Sequence, residues 1–125
     1  MQTINTPEAP APAGHYSQAI VHGDCVYVAG QLPIDPARPR FVQATIEEQT
    51  EQTLRNVAAI LSAAGSSLDR LLQVTIYIAD MSLWGRVNSV YEKALGSHRP
   101  ARAVVPTLPL HYGYQIEIQV IAAVG

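Results

Sequence analysis

The feature that most constrains the fold is a change of hydrophobic period near the middle of the chain. From Thr45 onward Leu54, Val57, Ala58, Leu61 and Ala64 recur at steps of three and four, while Glu47, Glu48, Glu51, Gln52 and Arg55 fill the intervening positions. Such spacing gathers the apolar residues into one stripe of an amphipathic helix. A few residues later, in "RLLQVTIYIAD", the period falls to two. Leu72, Val74, Ile76 and Ile78 alternate with Gln73, Thr75 and Tyr77, which predicts a strand with one buried face. A one-sided helix followed by a one-sided strand satisfies both only if the helix lies on the sheet.

The helix has marked ends. Thr45 and Glu48 have capping-box spacing, acids cluster in the first turns where the helix dipole favours them, and Gly65 supplies a left-handed stop. A second helix is predicted after Asp80, a plausible N-cap, from the stripe Trp84, Val87, Tyr91 and Leu95, ending at Gly96. Strands are predicted at Ala19–Val21 and Cys25–Ala29, joined by the turn His22-Gly23-Asp24, and again at Ala101–Val105 and Tyr114–Ala122. "QLPIDPARPR" is too rich in proline for an internal strand and reads as a loop or a poor edge strand. Pro7, Pro10 and Pro12 predict an extended lead-in over residues 1–13, with the fold proper starting near Gly14. The order ββ(β)αβαββ packs most simply as an α+β domain of two layers, a mixed sheet with both helices on one face, and residues 1–125 form that single domain.

The other sheet face then carries Gln73, Thr75 and Tyr77 from the middle strand and Gln115, Glu117 and Gln119 from the last. Amides, hydroxyls and phenols suit a subunit interface or a pocket better than open water. Composition agrees: 48% of residues are apolar and only 14% charged, so few charges are left to cover an exterior, which points to oligomerisation. A net charge of −2 with scattered basic residues gives no electrostatic footprint for nucleic acid or an anionic membrane. The lone Cys25 and a start without a basic or apolar leader make a cytoplasmic protein the expectation.

Nucleotide-binding loops, C-x-x-C and H-E-x-x-H are absent, and His15, His22, His98 and His111 lack ligand-like spacing, so nucleotide and metal chemistry have no local signature. Cys25 opens a strand read as buried and has no basic neighbour, which reads as an inert core thiol. Arg102 and Glu117 stand out as charges inside apolar strands. Two readings are open. They pair with each other and tie neighbouring strands together, or Arg102 holds a substrate carboxylate while Glu117 steers a water or a proton.

"GHYSQA" (Gly14 to Ala19), "VYVAGQLP" (Val26 to Pro33), "VNSVYEKAL" (Val87 to Leu95), "RPARA" (Arg99 to Ala103) and "IEIQVIA" (Ile116 to Ala122) occur in an order and spacing that resemble the RidA family, also called YjgF. The resemblance covers the chain from Tyr16 onward, and its most specific part is a P-A-R arginine fifteen positions ahead of an I-E-I glutamate. It implies a chorismate-mutase-like subunit, a homotrimer with pockets between subunits, and cofactor-free hydrolysis of short enamines or imines such as 2-aminoacrylate or 2-iminopropionate to 2-oxo acids and ammonia. By the same resemblance Arg102 clamps the substrate carboxylate, Glu117 positions or activates water, Tyr16 is the pocket tyrosine, and Gly30 and Asn88 lie at or near the site. The sequence also departs from the family pattern. Val104 stands where cysteine is frequent, Ala29 where serine or threonine is, and the usual L-P-x-G is Leu110-His111-Tyr112-Gly113, followed by Tyr114. These positions are candidates for substrate specificity, and His111 adds an imidazole open to an acid/base role. The alternative reading is a specialised or non-catalytic member that binds a small carboxylate metabolite or serves as a pathway-accessory or chaperone-like partner.

Overall fold

The computed structural model describes residues 1–125. Six strands form one sheet: β1 (Gln2–Ile4), β2 (Ala19–His22), β3 (Cys25–Gln31), β4 (Leu71–Ile78), β5 (Ala101–Pro106) and β6 (Ile116–Ala123). Their spatial order is β1-β2-β3-β6-β4-β5, and every neighbouring pair is antiparallel except β4 with β5. A parallel pair needs a crossover, here α2 (Trp84–Leu95). With α1 (Ile46–Ala63) packing on β3 and β6 and against α2, both helices cover one face, as the periodicities predict.

Local chemistry explains the ends. The Thr45 hydroxyl accepts from the Glu48 N–H at 3.2 Å, and the Glu48 carboxylate accepts from the Thr45 N–H at 3.2 Å, closing the capping box that starts α1. Such a cap contributes about 1 kcal/mol. Gly65 follows the helix with φ of 79°, a conformation that costs glycine little. The core interleaves Leu54, Val57, Ile60, Leu61, Val87 and Leu95 of the helices with Val26, Val28, Val74, Ile76, Ile118 and Val120 of the sheet, all buried. The proline-rich segment after β3 is a loop with one isolated bridge, Asp35 to Arg38. Asn56 on α1 pins it by donating to the carbonyls of Leu32 at 3.1 Å and Ile34 at 2.8 Å.

The structure corrects four sequence expectations. The extra strand of the ββ(β) pattern lies at the N-terminus, inside the segment read as a lead-in: β1 pairs with β2, and Ile4 and Ala9 are buried in the core. The prolines begin only at Pro7, so Gln2–Ile4 keep their backbone donors. The buried side chain of Gln18 then fastens the turn that follows, accepting from Thr6 N–H at 2.7 Å and donating to the carbonyls of Thr6 and Pro10, both at 3.0 Å.

Leu72 is not a core residue. The ladder between β4 and β6 shifts between Leu71 and Gln73, so Leu71 takes the buried position and Leu72 is exposed. A one-residue bulge inverts the facing of everything before it, which simple alternation does not reveal.

Cys25 does not enter the core either. Val26 and Val28 fill the helix side of β3, which turns Cys25 to the opposite face, where it is half-buried. Tyr114 precedes β6 rather than opening it; it is buried, and its hydroxyl donates to the Phe41 carbonyl at 2.8 Å.

Candidate functional site

In the β4–β5 ladder Arg102 stands beside Val74, and in the β4–β6 ladder Glu117 stands beside Tyr77. Laterally paired residues point to the same face, and Val74 belongs to the helix-covered face while Tyr77 belongs to the open one. Arg102 and Glu117 of one chain therefore project from opposite faces of the sheet. They form no ion pair; the two ion pairs of the chain are Asp35 with Arg38 and Glu47 with Arg86. Of the two readings open from the sequence, mutual pairing is thus removed.

On the helix side, Arg102 sits at the exposed edge of the sheet because β5 is the terminal strand. Its guanidinium carbon lies 4.8 Å from the ring centroid of Trp84 and 5.0 Å from that of Tyr91, a cation–π seat formed by α2. Its Nη1 donates to Asn88 Oδ1 at 2.9 Å, and Asn88 Nδ2 donates to Glu92 Oε1 at 3.0 Å. Trp84, Asn88, Tyr91 and Glu92 share one helical face because residues three and four apart are neighbours. Val104, two residues beyond Arg102, stands beside Ile76 and leaves no polar group there. A cavity of about 430 Å3 adjoins this cluster, lined by Tyr91, Glu92, His98, Arg99 and Arg102 among others.

On the open face, Glu117 is half-buried and its carboxylate makes no hydrogen bond within the chain. Burial pushes its carboxyl above the usual carboxylate range, and the charge of nearby His111 works in the opposite direction. Gly30 is the reason the carboxylate fits: a β-carbon there would overlap Glu117 Oε2 and stand 3.0 Å from Cδ. Gly30 has no positive φ, so the requirement is for space rather than for conformation. The register between β3 and β6 shifts between Val28 and Gln31, and this irregularity carries Ala29 and Gly30 past Glu117. Ala29 N–H donates to the Gln18 carbonyl at 2.9 Å, so the stretch Tyr16–Gln18 runs alongside Ala29 and Gly30. Tyr16 is exposed, its hydroxyl accepting from Ala13 N–H at 3.3 Å.

The candidate residues thus fall into two groups, Arg102, Asn88 and Val104 on the helix side and Glu117 with Gly30 and its neighbour Ala29 at the other, while Tyr16 stands exposed on the segment that borders Ala29. The loop thought to govern specificity is itself divided. His111 is close enough to bear on the Glu117 charge, whereas Tyr112 and Tyr114 line a separate groove of about 760 Å3 against the N-terminal segment. Trp84 and Tyr91, which the apolar stripe of α2 predicts to be core residues, instead seat Arg102, and Glu92 and Arg99 join the cluster without a sequence signal of their own. The 84-88-91-92 spacing on α2 becomes a signal only once Arg102 is set against that helix.

No group of three or more His, Cys, Asp or Glu side chains is arranged to hold a metal. No helix is long and apolar enough to cross a membrane.

Fold and charge placement together define a class: small α+β chains whose sheet is covered by helices on one side and carries a partly buried carboxylate on the other. Within it, the chain belongs to the RidA (YjgF) family, whose model, described as Endoribonuclease L-PSP, matches residues 6–124. A RutC family protein of Pyrococcus horikoshii is 44% identical over 97% of this chain and 96% of its own. The rat 2-iminobutanoate/2-iminopropanoate deaminase is 36% identical over 99% of this chain and 90% of its own. Among solved structures, the YjgF gene product from E. coli superposes with a TM-score of 0.94 at 34% identity, covering 98% of each chain. E. coli TdcF with bound serine superposes at 0.95 with 30% identity, covering 100% of each.

Proposed function

We propose that this protein hydrolyses short 2-imino acids and their enamine tautomers to 2-oxo acids and ammonia, at a site shared by adjacent subunits of a homotrimer. The observation that carries the reading is the separation of Arg102 and Glu117 onto opposite faces. One chain supplies a carboxylate anchor without a water-handling group beside it, and a second surface of the same chain supplies the reverse. Two copies are needed to bring Arg102 of one opposite Glu117 of the other. The rat deaminase relative and the bound serine of the TdcF structure support a small ligand with a carboxylate and a nitrogen on its α-carbon.

The chemistry asks little of the protein. An iminium carbon is already electrophilic, so orientation and a positioned base account for most of what is needed. Arg102, held by Asn88 and by the rings of Trp84 and Tyr91, offers its remaining N–H donors to the substrate carboxylate. Glu117, with its affinity for protons raised by burial, takes a proton from water as the water oxygen bonds to the imine carbon. Glu117 then gives that proton to the carbinolamine nitrogen and takes the hydroxyl proton in its place, so that the C–N bond breaks, ammonia leaves and the carbonyl forms. No redox change occurs and no cofactor enters the balance.

The experiment generates 2-iminopropionate from alanine with an amino-acid oxidase and follows semicarbazide trapping. The protein is expected to suppress trapping, and Arg102→Ala is expected to lose that effect. Unchanged trapping with the wild-type protein overturns the deaminase reading.

A second reading, binding of a small carboxylate without turnover, is favoured by one observation: Val104 and Ala29 present no polar group to the site. It predicts 2-oxobutyrate binding without suppression of trapping.

A further inference from the structure

The cavity beside Arg102 contains more anion-binding capacity than one carboxylate uses. Arg99 and Arg102 both line it, and neither is in an ion pair. Tyr91 lines it too; the residue is 5% exposed, and its hydroxyl, although close enough to feel the Arg102 charge, makes no hydrogen bond of good geometry. A buried hydroxyl left unpaired costs on the order of 1–3 kcal/mol, so such groups mark places where a ligand or water completes the set. The carboxylate of Glu92, the one acidic group on this wall, already accepts from Asn88. His98 is engaged through Nε2 with the Leu71 carbonyl at 2.7 Å. What remains uncommitted is the Arg99 guanidinium and the Tyr91 phenol, since Arg102, whose Nη1 donates to Asn88, is taken by the α-carboxylate. At about 430 Å3 the space falls within the range of small-ligand pockets and exceeds what a single carboxylate fills.

We propose that this cavity receives a second anionic group of the substrate, so that the preferred substrates are 2-imino dicarboxylic acids, with Arg99 as the specificity-determining residue. The inference rests on Arg102 being the anchor of the α-carboxylate, as in the function proposed above. Arg99 lies three residues before Arg102, on the short approach from Gly96 to β5, where it reaches the same cavity from the end remote from Val104. The distal carboxylate accepts from Arg99 and from the Tyr91 hydroxyl, which ends the isolation of that group. A monocarboxylate leaves both unsatisfied, which is the form of discrimination that polar pockets perform best.

The test is calorimetric binding of two stable product-class acids, 2-oxoglutarate and 2-oxobutyrate, so that it does not depend on turnover. The wild-type protein is expected to bind 2-oxoglutarate about tenfold more tightly, the increment of a charge-assisted contact. Arg99→Gln is expected to bring the ratio of the two affinities close to one, Arg99→Lys to restore part of it, and Tyr91→Phe to lower it about threefold. Equal binding of the two acids by the wild-type protein, or a ratio that survives Arg99→Gln, overturns the proposal while leaving the monocarboxylate deaminase intact. Failure of the wild-type protein to bind either acid overturns the dicarboxylate proposal, while the deaminase reading is decided by the trapping assay alone.

Discussion

Arg102 and Glu117 of one chain point away from each other across the thickness of the sheet, Arg102 beside Val74 on the helix side and Glu117 beside Tyr77 on the open side. If both act on one substrate molecule, each site combines residues from two chains. Arg102→Ala and Glu117→Gln should then each lose at least about 100-fold in activity alone, as general base and anchor residues do. Mixed by unfolding and refolding at equal amounts, they should regain activity, since about a quarter of the interfaces in a randomly assembled ring pair an intact Arg102 with an intact Glu117. An activity assay of the mixture against its separate components decides the matter, and absence of recovery in a verified mixed oligomer would place the complete site in one chain.

Gly30 is predicted to serve the carboxylate rather than the fold. The side chain that a new methyl group meets is the flexible end of Glu117, which can swing aside. Gly30→Ala should therefore shift the melting temperature by no more than a few degrees, while lowering kcat by about tenfold or more as the carboxylate leaves its position. A large loss of stability with retained specific activity would contradict this.

Asn88 and Glu92 are predicted to position Arg102, since Asn88 accepts from its guanidinium and Glu92 accepts from Asn88. Asn88→Ala should raise KM for the imino acid by about three- to tenfold with a smaller change in kcat, because it loosens a group that binds ground state and transition state alike. Glu92→Gln keeps an acceptor for the Asn88 amide and should change KM by less than about twofold, whereas Glu92→Ala should follow Asn88→Ala in direction. Steady-state kinetics on the three variants separates this arrangement from a merely structural one, in which kcat and KM would be spared and only the melting temperature would move.

How much of this could be read from the chain differs by feature. The capping box at Thr45, the stop at Gly65 and the stripe on α1 were legible because each depends on neighbours within one helical turn. Leu72 and Cys25 were not, since a bulge and the choice of face are decided by partner strands far away in sequence. β1 was missed because three residues carry too little pattern to set against the three prolines that follow. Arg102 and Glu117 were visible as charges in apolar strands, yet their opposite facing needed the ladder registers. Arg99 lay in plain view within "RPARA" and gained meaning only through the orphaned hydroxyl of Tyr91 across the cavity.

The burial of Glu117 gives a stability prediction whose sign is fixed. Its carboxyl is held above the usual range in the folded protein, chiefly by burial, with His111 opposing. The folded state therefore favours the protonated form. The associated stabilisation is fully present below the unfolded carboxylate range and is lost as pH rises through the raised folded value. Glu117→Gln carries a neutral side chain of the same size at every pH, so it escapes that loss. The melting temperature of the variant relative to the wild type should accordingly rise as pH increases from the unfolded carboxylate range through the raised folded value. Thermal melts at four or five pH values suffice. A difference that stays flat, or one that runs the other way, would mean that Glu117 is ionised at no cost where it stands, and a base of raised proton affinity would have to be sought elsewhere, with His111 the first residue to test.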